Sequence, residues 1–359
     1  MKIIIKGIIL FFAASVILGL HSCVSNENIE PQQSEIWYNL APVKQNSTTK
    51  AAFSAFDGTF GTFAYKFEAG KSYDANKNDA GIEKYIDNAQ ISKQGGVWKG
   101  ATSYFWPKDG SSLTFFSYAP YTIKDLPGFS CNVAQGICLD NFSVTATAGY
   151  FDNNKDVLIA DVAKDLVYNA YSYFTSGVPT LFKHKLCTVQ FLISYANEPA
   201  HSGTGTGTVI DVADKIEITS FQLQNIYTQG DFVSNGWTNL TNEKNYPNSV
   251  SSKIELKYDF GSDPARPVDD ILFGETMMIP QPTNSAGGNP PTIIIGYTKG
   301  GVAQIPAVIT LYTPSLPMWE ASKKIIYRIS ISTKDEYIEF SGKPSDWTGV
   351  SGGDINVGV

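Results

Sequence analysis

Cys23 has the best-defined chemical context in the chain. It closes Leu20-His21-Ser22-Cys23, behind a basic start (Lys2, Lys6) and an almost unbroken apolar run from Gly7 to Leu20. A leucine three residues before the cysteine and a small residue just before it make a bacterial lipobox. The expected chemistry is signal cleavage and lipidation of Cys23. The apolar run, about 14 residues, is too short to span a ~30 Å hydrocarbon core. Several acyl chains on one cysteine, each CH₂ contributing about 0.8 kcal/mol, would hold the mature protein on a membrane.

The other reactive groups are sparse. Cys131 and Cys138 flank a short Asn-Val-Ala-Gln-Gly-Ile loop, and an oxidising compartment permits a local disulfide between them. Closing so small a loop would contribute about 2–3 kcal/mol at most. A two-cysteine metal site is the rival, but no histidine lies near in sequence and the spacing does not suit zinc. Cys187 falls in the apolar alternation of a strand and reads as a buried thiol. Gly349-Val350-Ser351-Gly352-Gly353 matches the nucleophile-elbow string, yet no histidine follows His201. Gly70-Lys71-Ser72 lacks the upstream glycine of a phosphate loop. Asp74, Asn76 and Asn78 begin with calcium-loop spacing, but Asp79 replaces the turn glycine and Tyr85 the bidentate glutamate. Asp152, Asn153, Asn154 and Asp156 read likewise as a solvated loop. His184 shares a strand face with Phe182 and Leu186, the pattern of a core histidine. Asp269-Asp270 is the kind of acid pair a hydrolase would need, and many surface loops carry such pairs. No catalytic residue, metal site or cofactor is expected.

The elements around these residues are strands. Removing 23 residues from 359 leaves 336, enough for two domains. The signal takes two of 27 basic residues and no acid, so the net charge moves from −7 to −9 (25 basic against 34 acidic). An acidic chain whose arginines are Arg266 and Arg328 is a poor nucleic-acid binder. Tyr, Phe, Gly and Pro are abundant and long helical runs nearly absent, which makes an all-β extracytoplasmic protein the expectation. Residues 24–50 are polar and read as a flexible tether, with one apolar patch at Ile36-Trp37-Tyr38. From Ala51 aromatic and small residues alternate to Phe67. Val97-Trp98 with Thr102 to Trp106, Leu113 to Tyr118, Lys155 to Ala160 and Thr180 to Tyr195 complete a first half. Residues 197–208, with their Gly-Thr alternation, read as a linker. A second strand series runs from Lys215 to Phe340. The expected organisation is a signal (1–23), a tether or propeptide (24–50) and two consecutive β-sandwiches (51–200 and 201–359).

Taken in order, the motifs resemble the fimbrillin family of Bacteroidales surface pilins. Tyr104-Phe105-Trp106-Pro107 followed by Leu113 to Tyr121 looks like its N-domain hairpin, and Asp156 to Ala160 like the next strand. Phe182-Lys183-His184-Lys185-Leu186 looks like its phenylalanine-x-histidine-x-leucine strand. Met278-Ile279-Pro280-Gln281, Tyr327 to Ser332, Ile338 to Phe340 and Asp346-Trp347 fit its closing half. The resemblance implies two tandem transthyretin-like Greek-key sandwiches, lipoprotein export to the outer membrane, and a fimbrial subunit supporting adhesion. It also implies assembly by strand exchange: a protease removes the lipidated N-terminus with the first strand, and a neighbour's strand fills the groove. Family cleavage follows an arginine, but no arginine precedes Arg266, so Lys50 is the processing candidate here. The exchange residues expected are Ala51, Phe53, Phe60, Phe63 and Tyr65 in the first strands, with Ile355 and Val357 in the tail. Partners would be other pilin subunits, the outer membrane through the lipid, and host or bacterial surface glycans or proteins.

Two alternatives stand beside this. One is a monomeric surface lipoprotein binding glycans through exposed Trp98, Trp106, Trp237 and Trp319, or a pilus anchor or tip accessory protein. The other is a hydrolase, which would need a convergent acid pair in a cleft.

Overall fold

A computed structural model describes residues 34–40, 58–145, 156–168, 177–204, 207–246, 250–284, 289–334 and 338–346. Contacts separate Met1–Ser34 from one compact body, Glu35–Val359, and the body is described here. It is all-β. The first half supplies β1 (Tyr38–Asn39), β2 (Phe60–Phe67), β3 (Glu83–Gln94), β4 (Val97–Gly100), β5 (Ser112–Ala119), β6 (Ser130–Asn132) and β7 (Gly136–Ser143). β8 (Leu158–Ala160), β9 (Ala163–Val167), β10 (Val178–Pro179), β11 (Phe182–His184) and β12 (Cys187–Tyr195) follow.

β1–β5 and β8–β11 make one sheet in the order β10-β1-β4-β3-β2-β5-β8-β11, with β9 also on β5. Its two ends are one stretch of chain. Thr180 N–H donates to Asn39 O (2.9 Å) on the β1 side, and Asp161 N–H donates to Leu181 O (3.0 Å) on the β8 side. The path therefore curls back on itself, as in a barrel, around a core containing Phe60, Trp98, Phe115 and Phe182. β2, Phe-Gly-Thr-Phe-Ala-Tyr-Lys-Phe, is buried on both faces because each face carries apolar side chains and each is covered. Phe60 and Ala64 enter that inner core, whereas Phe63, Tyr65 and Phe67 point the other way.

The second half supplies β13 (Ile216–Val233), β14 (Asp270–Met278), β15 (Thr292–Lys299), β16 (Lys323–Ile331) and β17 (Ile338–Asp346). A four-stranded sheet β14-β12-β16-β17 faces a sheet in which β15, β13, β7 and β6 lie in that order. Phe191, Phe221, Phe273, Trp319 and Tyr327 fill the sandwich between them. A third cluster, with Phe63, Tyr65, Phe116, Tyr118, Ile137, Leu139 and Phe232, joins the outer face of the first sheet to β7 and the end of β13.

Three expectations change. Thr180 to Tyr195 is not one strand closing the first half. It breaks at Leu186, and β12 runs parallel to β16 from Thr188↔Lys324 to Tyr195↔Ile331, inside the second sandwich. Cys187, Val189, Phe191, Ile193 and Tyr195 all face that sandwich's core, so burial draws the strand across the expected boundary at residue 200. The apolar patch of the expected tether is β1, part of the first sheet. The expected linker contains a small ribbon, His201–Ser202 against Val209–Ile210.

Candidate functional site

β1 is a two-residue strand seated between β4 and β10, and its side chains complete the first core. Glu35-Ile36-Trp37-Tyr38-Asn39-Leu40 alternates, which turns Ile36 and Tyr38 inward and leaves Glu35 and Trp37 on the other face. Ile36 and Tyr38 are each 2% exposed. The Tyr38 ring meets Phe60 edge-on at 5.4 Å and Phe115 at 6.0 Å. Burial raises its phenol above the ordinary range. Tyr38 pairs antiparallel with Trp98 of β4 and parallel with Val178 of β10. The backbone bonds are Ile36 N–H to Tyr104 O (2.7 Å), Val178 N–H to Trp37 O (2.7 Å) and Thr180 N–H to Asn39 O. Trp37 packs against Gly177 (φ +75°), where a Cβ would stand 2.6 Å from the indole. A side chain there would also be strained.

At the entrance to the seat the Glu35 carboxylate is held twice. Ser103 Oγ donates to Oε1 at 2.7 Å, and Lys99 Nζ lies 3.1 Å from Oε2 and 3.4 Å from Oε1. The Ser103 hydrogen bond, with the Lys99 hydrogen bond and charge against partial desolvation, holds the carboxyl below the usual glutamate range. Burying Ile36 and Tyr38 stabilises the seat by about 1.5–3 kcal/mol each. Each backbone bond adds about 0.5–1.5 kcal/mol net. Without the strand, two backbone N–H groups and the rings of Phe60 and Phe115 would face solvent. Such a groove can take another strand.

Of the expected exchange residues, Phe60 lines the seat, while Phe63 and Tyr65 point to the other face of the first sheet. Phe60, Phe63 and Tyr65 lie in β2, which is hydrogen-bonded to β3 on one side and β5 on the other. β4 and β3 stand between β2 and β1. Cys23, Lys50, Ala51, Phe53, Ile355 and Val357 fall outside the described residues. Sequence reasoning missed Glu35, Ile36, Tyr38, Lys99, Ser103 and Val178. The apolar patch at residues 36–38 was the available signal.

The remaining candidates are not gathered into a chemical site. Cys131 and Cys138 are free thiols. Cys131 pairs with Ile137 and Cys138 with Ser130, so the register is one residue out of step and turns the two thiols to opposite faces. Burial pushes the Cys131 thiol up to about 12. His184 Nδ1 lies 2.6 Å from Asp156 Oδ2, and both groups are largely buried. Among the described residues no group of three or more His, Cys, Asp or Glu is placed to hold a metal. Trp98, Trp106 and Trp319 are buried. Trp237 is half-buried and its indole N–H donates to Lys185 O. These four form no exposed aromatic platform.

The fold defines a class: an all-β protein built on β-sandwich layers. The chain belongs to the fimbrillin-like family, whose model matches residues 47–347. Among solved structures, a fimbrial protein of Bacteroides vulgatus is similar in fold, with a TM-score of 0.52 at 16% identity, covering 87% of this chain and 99% of the other. The tip fimbrial protein Mfa3 of Porphyromonas gingivalis, C-terminally truncated, matches with a TM-score of 0.41 at 12% identity, covering 83% and 97%. No curated protein matches the sequence. Family membership supports a fimbrial role at the cell surface.

Proposed function

We propose that the protein is a structural subunit of a surface fimbria, exported as a lipoprotein acylated at Cys23 and polymerised by β-strand exchange. One observation carries this reading. β1 is a short strand, buried in the first core, and it lies between the lipobox and the basic Lys50. Cleavage after Lys50 would cut β1 from the body it completes. Until then covalent attachment keeps it at high effective concentration in its seat; afterwards it competes as a separate chain.

The sequence of the tail supports the same reading. Asp354-Ile355-Asn356-Val357-Gly358-Val359 repeats the acid, isoleucine, spacer, apolar, spacer, apolar order of Glu35-Ile36-Trp37-Tyr38-Asn39-Leu40. A tail from a second subunit, entering in the direction of β1, would set Ile355 where Ile36 lies and Val357 where Tyr38 lies. The partners are other pilin subunits, and the lipid on Cys23 holds the unprocessed form to the outer membrane.

The test is the N-terminal sequence and lipid content of the protein recovered from intact cells. A free N-terminus near Ala51 within a heat-resistant ladder of oligomers is the expected result. An acylated Cys23 on a persistent monomer would overturn polymerisation and leave a surface anchor.

A further inference from the structure

Granting the strand exchange proposed above, we infer that Lys99 and Ser103 form a carboxylate receptor that fixes the register of any strand entering the seat of β1. A register reader adds to apolar alternation, which discriminates registers only weakly. A strand has a side-chain period of two, so a one-residue slip exposes the wrong face but a two-residue slip keeps apolar groups inward. The tail is ambiguous in this respect. Ile355, Val357 and Val359 are all β-branched, and a shift by two exchanges one for the next. Either shift keeps two of the three inward places filled, leaving the Leu40 place empty one way and setting Gly353 at the Ile36 place the other, so the pockets separate the registers by only one apolar side chain.

The receptor lies off that apolar face, where polar contacts can discriminate. Lys99 follows Trp98 in β4, which pairs with Tyr38, and Ser103 precedes Tyr104, whose carbonyl accepts from Ile36 N–H. Both groups converge on one carboxylate at the Glu35 position. Among the described residues Glu35 is the carboxylate within ion-pair reach of Lys99. When Ile355 takes the Ile36 position, Asp354 falls where Glu35 was. Asp354 is also the one charged residue in 347–359. Shifted two residues one way, the tail offers Asn356 to the receptor and carries Asp354 outside the seat. Shifted the other way, it offers Gly352 and puts Asp354 against Gly177, the Trp37 position. Only one register pairs the charge. The receptor is partly exposed, so it acts mainly on selection between registers, while burial supplies the affinity.

The full chain, expressed in cells that assemble the ladder, tests this with surface amount tracked by antibody. Asp354→Lys is expected to lower the heat-resistant ladder about tenfold relative to surface protein, and Asp354→Asn about threefold, a factor of ten corresponding to about 1.4 kcal/mol. Adding Lys99→Glu with Glu35→Lys to Asp354→Lys keeps the ion pair in both the unprocessed chain and the exchanged strand, and should restore the ladder. Because Lys99→Glu perturbs the described body, Asp354→Asn, confined to the tail, stands as the independent measure. Wild-type ladders from both Asp354 variants, with none from a chain truncated after Gly353, would overturn the receptor and leave strand exchange intact. A normal ladder from the truncated chain would overturn exchange through this tail, and the receptor with it. Failure of the charge swap to restore the ladder would also overturn the receptor.

Discussion

Glu35 and Tyr38 do opposite kinds of work in one short segment. Glu35 is charged and partly exposed, and its carboxyl lies below the ordinary glutamate value of 4.5. A carboxyl whose folded pKa is lowered stabilises the folded form fully above the unfolded value and loses that contribution as pH falls through the folded one. The amide protection factor of Ile36 should therefore fall as acidity increases below about 4.5 in the native chain and change less in Glu35→Gln, as read by hydrogen exchange. Tyr38 supplies burial. Tyr38→Ala removes a ring seated against Phe60 and Phe115 and should cost about 3–5 kcal/mol in chemical denaturation of the unprocessed chain. Cys131 makes a third case. With its thiol pushed up to about 12 by burial, it should resist alkylation in the native protein near neutral pH and react only on unfolding, as followed by mass spectrometry.

At the scale of elements, legibility follows length and pattern. β2 and β5 were readable because eight-residue runs rich in aromatic, β-branched and small side chains declare a strand. That both faces are buried was not readable, since the second face is covered by β7 and β13 from elsewhere in the chain. β1 spans two residues, too few for a periodicity, and its polar surroundings resemble a tether. It is a strand because β4 and β10 lie on either side of it. The register of the Cys131 hairpin was equally hidden: spacing allows a bridge, and only pairing decides which faces the thiols take. The break at Leu186 leaves one trace, since the inward apolar positions change from even (Phe182, Leu186) to odd (Cys187, Val189, Phe191) there. Which sheet the strand then joins is set by the parallel partner β16, more than 130 residues away, and could not be read.

For the whole molecule, the two halves read from sequence are interleaved. β7 leaves the first half to pair with β13, and β12 lies in the second sandwich although it precedes the expected boundary. A fragment ending at residue 200 would carry β12 with neither β14 nor β16 to pair it. Fragment 24–200 should therefore aggregate or stay partly unfolded, whereas the full mature chain should melt in one cooperative transition. Circular dichroism and size-exclusion chromatography of both would check this. Two independent transitions in the full chain would show separable domains.

β13 has a mechanical consequence. Its first part packs Ile216, Ile218, Phe221 and Leu223 into the second sandwich, and its far end places Phe232 in the cluster beneath the first sheet. In a fibre assembled as proposed, tension passing between the two cores would have this continuous strand as a direct route. Its hydrogen bonds to β7 and β15 lie across the strand, so a lengthwise pull shears them together instead of peeling them one at a time. Sharing load in parallel across many weak bonds would suit a filament exposed to flow.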